Sequence, residues 1–562
     1  MNNDLDGSAI KNSASIKSIP LTLALFPVVV LIGLLVANVY FYGDSATFGP
    51  NQIALLMSAA AAALAGFFLG VPVKTMIEGV QKSIGSALIA MLILLLIGSL
   101  IGTWVMSGIV PAMIYYGLGI LSPEYFLFAA AIVCAIVSVV TGSSWSTVAT
   151  VGIALLGIGS TMGIHQGLIA GAIISGAYFG DKISPLSDTT NLAAAMAGTD
   201  LITHIRYMMW TTIPSFAIAL GIYLVIGLNS EPPAMATDTE QLKLAIDKYF
   251  NLNPIVFIVP VGVLVMVLMK VDALVALFVG AVAGGVLAIC IQPEAVSTIS
   301  GLAEETVTIV VDESGTEQET TRKPPYYQRA YKAFINAMAM ETTAVKSERI
   351  DELKARKAEL AEQAELSGDA VGDGGLTPTP SEATTTELAQ IDAELAAADL
   401  LKGKGMVGML NTIWLIITAM CFGGLMEACG LLQRITQPLV DFATSTGALV
   451  STTAGSCLFL NVTASDQYLA IVVPGRMFRE TYRDRGLAPQ NLSRTLEDSG
   501  TVTSVLVPWN TCGAAQQGVL GVEVIAFAPF CFFNIISPFM TILFAWLGIA
   551  IAKLPSDSDA TP

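Results

Sequence analysis

The sequence predicts an all-α membrane protein of about ten to twelve transmembrane helices, some broken or re-entrant, arranged in two related halves. Three observations carry that expectation. Of 562 residues, 54% are hydrophobic and only 13% charged, more apolar material than one soluble core hides. Apolar stretches of membrane-spanning length recur, among them Leu21 to Val39, Ile53 to Leu69, Ile84 to Met106, Phe126 to Val140 and Ile255 to Met269. Clusters of Ser, Thr and Asp interrupt the apolar pattern in both halves, in similar order.

Read in order, residues 1–20 form an N-terminal tail and 21–82 the leading transmembrane helices. The span Leu21 to Val39 is too long for a signal peptide and lacks a small-residue cleavage pattern, so it is expected to stay attached. Residues 83–228 make the first repeat, 253–291 linking spans, 292–404 a hydrophilic insert, 405–551 the second repeat and 552–562 a C-terminal tail. Inside the insert, Val345 to Leu366 and Glu387 to Leu401 read as two helices joined by a Gly/Pro/Thr-rich turn, Gly368 to Thr386, which together make a solvated hairpin.

The net charge of −17 resides largely in this insert and in the ends, so it says little about partners, and no nucleic-acid partner is expected. Orientation follows Lys and Arg in short loops. Arg476, Arg479, Arg483, Arg485 and Arg494 make the densest such loop, and Lys11, Lys17, Lys74 and Lys82 flank the first spans, whereas the loop at Asp44 has no basic residue. This places the N-terminus and the arginine loop in the cytoplasm of a multi-pass inner-membrane protein. The seven cysteines lack CxxC spacing and read as small buried hydrophobes, and two histidines do not make a histidine metal site.

Gly102 and Gly108 are echoed by Gly424 and Gly430. Ser143-Ser144-Trp145 is matched with Ala464-Ser465-Asp466, Gly180-Asp181 with Glu497-Asp498, Ser184 and Ser187 with Thr501 and Ser504, and Pro214 with Pro538. The order argues for duplication. In secondary transporters, ion sites lie near the bilayer midplane where helices of the two repeats break.

The first such cluster is Thr141-Gly-Ser-Ser-Trp-Ser-Thr147, where Ser143 and Ser144 either let helices pack closely or line an interrupted helix. The second is Gly180-Asp-Lys-Ile-Ser-Pro-Leu-Ser-Asp-Thr-Thr-Asn191. Pro185 removes a backbone donor, so the chain is expected to unwind among Asp181, Ser187, Asp188, Thr190 and Asn191. Oxygen ligands of this kind suit a hard cation. The second half repeats the chemistry with Asn461, Thr463, Ser465 and Asp466, then Asp498 and Thr501, then Asn510. Carboxylates at membrane depth are functional candidates, and Asp181, Asp466 and Asp498 are the expected sodium ligands. Burial favours a protonated carboxyl and a bound cation favours the ionised one, so one site can hold either. Glu427 reads as a further proton-handling group or a helix partner, and Lys182 as a salt-bridge partner or a lysine snorkelling to the interface. Asn461-Val-Thr463 and Asn491-Leu-Ser493 match a glycosylation pattern formally only.

At Gly142-Ser-Ser-Trp-Ser-Thr147, Gly180 to Asn191, Asn461-Val-Thr-Ala-Ser-Asp-Gln467, Leu496-Glu-Asp-Ser-Gly-Thr-Val-Thr-Ser504 and Pro508-Trp-Asn-Thr-Cys512 the chain resembles the NhaC family of sodium/proton antiporters. The resemblance spans Leu21 to Cys290 and Gly405 to Ile551 and stops at the insert. It implies inverted repeats, an elevator-like movement against a dimeric scaffold, transported sodium and protons, and no cofactor or enzymatic activity. It also admits exchange of malate and protons against lactate and sodium, although few basic residues lie near the motifs to hold a dianion. Two enzyme classes fail. The Gly180-Asp181 pair is similar to that of intramembrane aspartyl proteases, but Tyr178 stands where their glycine is needed and no Tyr-Asp partner exists. A serine peptidase lacks its histidine in the clusters. A passive cation channel shares the same polar breaks, and saturation and strict coupling distinguish an exchanger from it.

Overall fold

The computed structural model describes residues 19–42, 45, 46, 48–118, 122–230, 239–269, 271–302, 306–311, 317–322, 324–368, 382–441 and 444–554. Lys11, Lys17, Asp44 and most of both tails lie outside them. Among the described residues eight helices are long and apolar enough to cross a membrane, or ten if each of two bent pairs is one span. That is at or below the lower edge of the expected ten to twelve, because several inner helices are polar.

The first half begins with α1 (Leu21–Tyr42), α2 (Pro50–Phe68) and the long α3 (Val73–Met106), followed by the short α4 (Ile109–Gly117). Then come α5 (Pro123–Thr141), α6 (Ser144–Thr161), α7 (Gln166–Ile183), α8 (Asp188–Ala197) and α9 (Leu201–Asn229). α5 and α6 fold back on each other: a Cβ at Gly159 would sit 2.6 Å from the Phe126 ring, near the open ends of both helices. α7 runs beside α5 in the same direction, so tightly that Ser138 Oγ donates to Ala177 O at 2.5 Å. Gly176 and Gly180 allow this approach, since a Cβ at either would lie 2.1 or 2.4 Å from an α5 carbonyl oxygen.

Two linking helices, α10 (Thr239–Tyr249) and α11 (Ile258–Leu268), meet at a sharp bend of 83° between Glu240–Tyr249 and Pro254–Met266, and α12 (Ala273–Ile291) follows. The insert is more than a solvated hairpin. It opens with α13 (Pro293–Ser300), an antiparallel ribbon of β1 (Thr306–Val311) and β2 (Glu317–Arg322), and α14 (Tyr326–Ala339). Ala330, Ala333 and Ala337 of α14 are buried against Met106 and Ala288, and a Cβ at Gly102 would fall 1.8 Å from Ala337 O. The small-residue stripe thus seats α14 on the membrane core. After the two-residue strand β3 (Thr342–Thr343), α15 (Ser347–Gly368) and α16 (Glu382–Leu400) form the expected hairpin, and β4 (Lys402–Gly403) pairs with β3. Residues 369–381 of the connecting turn lie outside the described residues.

The hairpin is tied down by one carboxylate. Glu394 accepts from Lys248 Nζ at 2.8 Å, from Arg349 Nε and Nη2 at 3.2 Å each, and from the Tyr249 hydroxyl. Burial pushes its carboxyl up, but these donors outweigh burial and hold it at about 2 against the ordinary 4.5. A depressed carboxyl stabilises the docked state fully above pH 4.5, and that contribution fades as pH falls toward 2. Glu394→Gln is therefore expected to speed hydrogen–deuterium exchange across α15 and α16 at neutral pH; unchanged exchange refutes the role.

The second half contains α17 (Leu410–Ala428), α18 (Leu431–Asp441), α19 (Thr446–Thr463), α20 (Gln467–Asp484), α21 (Pro489–Leu496) with a wide turn at Glu497–Thr501, α22 (Thr511–Leu520), α23 (Val524–Phe527) and α24 (Phe532–Leu547). α19 and α20 fold back as α5 and α6 do, with Tyr482 Oη donating to Thr453 Oγ1 at 3.3 Å near their open ends. The two hairpins open toward opposite ends of α3. The α5–α6 mouth adjoins α4, which follows the C-terminal end of α3 through Gly108. The α19–α20 mouth adjoins α18, which follows α17 where Ala428 meets Gly79 in the first turns of α3.

Candidate functional site

In each half the chain breaks twice, and local chemistry explains every break. α5 ends in the left-handed turn of Gly142 (φ 67°), and Ser143 then caps α6 by accepting Ser146 N–H at 3.2 Å. The second half repeats this with a side chain in the strained position: Ser465 has φ 59°, and Asp466 caps α20 by accepting Leu469 N–H at 2.9 Å. α7 stops before Pro185, whose missing donor cannot continue a helix, and Ser187 caps α8. Pro508 and the cap Asn510, which accepts Cys512 N–H at 3.0 Å, do the same ahead of α22.

These caps fix a register between the halves. Asp466 stands 323 residues after Ser143, Asn510 after Ser187, and α22 after α8. Hydrogen bonds obey the same spacing. Ser138 to Ala177 O is mirrored by Asn461 Nδ2 to Gly500 O at 2.7 Å, and Ser144 Oγ to Asp181 Oδ2 (2.7 Å) by Ser504 Oγ to Gln467 Oε1 (3.0 Å). This register corrects the sequence pairing: Asp181 stands opposite Ser504 rather than Asp498, and Ser143 opposite Asp466 rather than Ala464. Pro214 and Pro538 remain one residue apart from it, inside α9 and α24.

The hairpin tips and helix breaks of both halves meet beside the middle of α3, around a cavity of about 230 Å³. Ser143, Ser144, Asp181 and Asp188 line it from the first half, and Asp466, Gln467, Tyr468 and Thr511 from the second. Asp181 is buried; its Oδ2 accepts both the Ser144 amide at 3.0 Å and the Ser144 hydroxyl, while Oδ1 is buried without a hydrogen-bond partner among the described residues. A buried carboxylate oxygen without a donor is the condition a bound cation or a proton relieves. Asp466 is also buried. Asp188 is more open and accepts the Tyr468 hydroxyl across the two halves. No lysine or arginine lines this cavity.

The remaining expected residues surround it. Ser187 Oγ lies 3.1 Å from Thr189 Oγ1, and Thr190 Oγ1 donates to Lys182 O at 2.9 Å, fastening the break. Asn191 is exposed and its amide donates to Pro185 O and Ser187 O, so it closes a loop. Asn461 is buried and, through Asn510 Nδ2 at 3.1 Å, joins the two breaks of the second half. Thr463 donates to Phe459 O within its own helix, and Ser465 O accepts Thr511 N–H at 3.0 Å. Thr501 is buried beside Glu497 in the wide turn.

Asp498 is placed differently from Asp181 and Asp466. It does not line the cavity. It forms a fully buried ion pair with Lys182, accepts Thr211 Oγ1 at 2.7 Å, and shares Ser537, to which Lys182 Nζ donates at 2.9 Å. Of the two readings of Lys182, the salt bridge holds and the snorkelling lysine does not: it is fully buried and its partner is Asp498 of the second half. Glu497, next to it, is a buried carboxylate that the sequence reading passed over; it accepts Thr189 Oγ1 at 3.2 Å, and its Oε2 has no hydrogen-bond partner among the described residues. Glu427 lies 3.7 Å from Lys82 at the edge of the fold, a helix partner. Cys290 is exposed rather than buried, while Asn461 and Asn491 are both inaccessible to a glycosylating enzyme. Among the described residues no cluster of metal-ligating His, Cys, Asp or Glu occurs.

Among the described residues the buried charged side chains are Asp181, Asp466, Glu497 and Asp498 against Lys182 and Arg494. Four acids face two bases, so the ionised interior lacks two positive charges.

A family model described as the Na+/H+ antiporter family matches residues 176–321 and 379–549. The Na+/H+ antiporter NhaC of Alkalihalophilus pseudofirmus is 34% identical over 85% of this chain and 86% of its own. An uncharacterized Na+/H+ antiporter of Haemophilus influenzae is 31% identical over 95% of this chain and 98% of its own. The malate-2H+/Na+-lactate antiporter of Bacillus subtilis is 30% identical over 93% and 95%. With eight or more apolar spans, bent helix pairs and these matches, the chain is a multi-pass membrane protein and belongs to the Na+/H+ antiporter family.

Proposed function

We propose that this chain exchanges sodium ions for protons across the cell membrane, with the cavity between the two sets of helix breaks as the site both cations use in turn. The observation that carries the reading is the convergence of the buried Asp181 and Asp466, one from each half, at one cavity with no basic side chain among the described residues of its wall. Carboxylate, hydroxyl and carbonyl oxygens there match a hard monovalent cation. Asp181 and Asp466 hold the cation, Ser143, Ser144 and Thr511 complete its shell, and Asp188 with Tyr468 joins the halves at the mouth.

The same wall argues against the malate/lactate alternative, because a dianion meets three carboxylates and no cation there. Hairpins entering from opposite ends of α3 support inverted repeats, and an elevator-like passage of the two hairpins against a scaffold of α1–α3 and α17 in a homodimer completes the reading. It requires no cofactor and no enzymatic step. The N-terminus and the arginine loop are assigned to the cytoplasm of the inner membrane.

Proteoliposomes loaded with a pH dye test it: sodium, lithium, potassium, malate and lactate are added in turn. A saturable proton flux with sodium and none with malate or lactate is expected. Proton movement that needs malate, or a flux that does not saturate, overturns it.

A further inference from the structure

A second cavity, of about 360 Å³, lies at the opposite end of α8 from the cation site. Arg479, Glu480 and Arg483 stand at it, two positive charges against one negative; Ala197, Leu487 and Leu492 form its buried floor and Leu554 its exposed apolar side. The segment expected to be an arginine loop is largely helical: Arg476, Arg479 and Arg483 lie on α20 and are exposed, as is Arg485 just after it, while Arg494 is buried in α21. Among the described residues Arg483 pairs only with Glu480 one turn earlier at 3.7 Å, both side chains at least 70% exposed, and such a pair contributes little. Arg479 rests against the backbone of Gly198, where a Cβ would lie 2.5 Å from Nη2, at the C-terminal end of α8. Residues 476–485 also carry Glu480 and Asp484, yet keep two positive charges in excess on a chain of net charge −17.

The depth of this cavity is marked by its surroundings. Leu554 is 38% exposed, and Trp546, Leu547 and Ile549 of the same C-terminal stretch are all exposed, as are Ile202 and Trp210 on the neighbouring α9. Tryptophans and bare aliphatic side chains beside arginines are the composition of a membrane–water boundary. A cleft that offers guanidinium forks on one wall and leucines on another is complementary to an amphiphile with a phosphate head.

We propose that Arg479 and Arg483 bind the phosphate of an anionic phospholipid headgroup, whose glycerol and first methylenes lie against Leu554. Because α8 begins at Ser187 and Asp188, this lipid sits on the helix that carries one wall of the cation cavity.

The test uses the full chain in nanodiscs and in vesicles of phosphatidylcholine with increasing phosphatidylglycerol. Lipid retained by the wild type is compared with R479Q/R483Q and with R476Q/R485Q, which removes equal charge outside the cavity. Retention of phosphatidylglycerol is expected to fall roughly tenfold in R479Q/R483Q and little in R476Q/R485Q. Equal loss in both variants means diffuse attraction alone and overturns the site. Displacement of the lipid by millimolar inorganic phosphate identifies a soluble anion as the occupant and also overturns it. Both variants lie outside the cation cavity, so loss of sodium-dependent proton flux in phosphatidylcholine alone counts against the proposed function rather than against the lipid site.

Discussion

Asp181→Asn and Asp466→Asn, made separately, are each expected to abolish sodium-dependent pH change in everted vesicles while leaving membrane expression intact. Each removes a charge that faces the cavity but leaves its shape. An asparagine at 181 still accepts the Ser144 hydroxyl through its carbonyl oxygen, so the hairpin tip keeps its anchor. What is lost is the charge-assisted part of cation binding, about 3 kcal/mol, or roughly a hundredfold in half-saturating sodium. A proton site disappears with it. Ser144→Ala removes only one donor to Asp181 and should shift apparent sodium affinity without abolishing exchange. Wild-type exchange in both asparagine variants, measured by dye response against sodium concentration, removes the cavity as the site.

Asp498→Asn is expected to act through folding. Its carboxylate is the counter-ion of Lys182 in an interior from which both side chains are fully excluded from solvent. Removing one partner of a buried pair leaves an unmatched charge and typically costs about 3–5 kcal/mol. Loss of the folded protein, read from detergent-extracted yield and melting temperature, should therefore accompany loss of exchange. Replacing both partners, Lys182→Met with Asp498→Leu, should restore a large part of the melting temperature, since apolar pairs often substitute for buried ions. If Asp498→Asn melts like the wild type but fails to exchange, the carboxylate has a direct role in transport. If Lys182→Met with Asp498→Leu melts as low as Asp498→Asn, the ion-pair account fails.

Much of this was legible in the sequence. The spans declare themselves by apolar length, and the breaks by proline, glycine and hydroxyl residues where hydropathy demands a helix. Asp181, Asp188 and Asp466 follow from the cost of a carboxylate at membrane depth. The register did not follow. Single Gly, Ser and Asp echoes recur every few residues in such a chain, so Gly180-Asp181 resembles Glu497-Asp498, six residues from the spacing that caps and hydrogen bonds impose. That Lys182 forms a salt bridge is legible, but its partner is not, because adjacent residues on a helix face in different directions: Asp181 looks into the cavity while Lys182 points into the other half. α14 was hidden for another reason. Its tyrosines, Gln328, Arg329 and Lys332 lower its mean hydropathy, whereas its packing face consists of three alanines too small to register in it.

On the proposed exchange, the imbalance of four interior acids over two bases has a further consequence for leakage. With nothing bound, any rearrangement that presents the cavity to the opposite side must carry fixed negative charge through hydrocarbon, a heavy penalty for a unit surrounded by lipid. Sodium or protons cancel that charge and lower the barrier. On the proposed exchange, the empty form would be held to one side until a cation arrives, so fixed charge would itself oppose idle cycling.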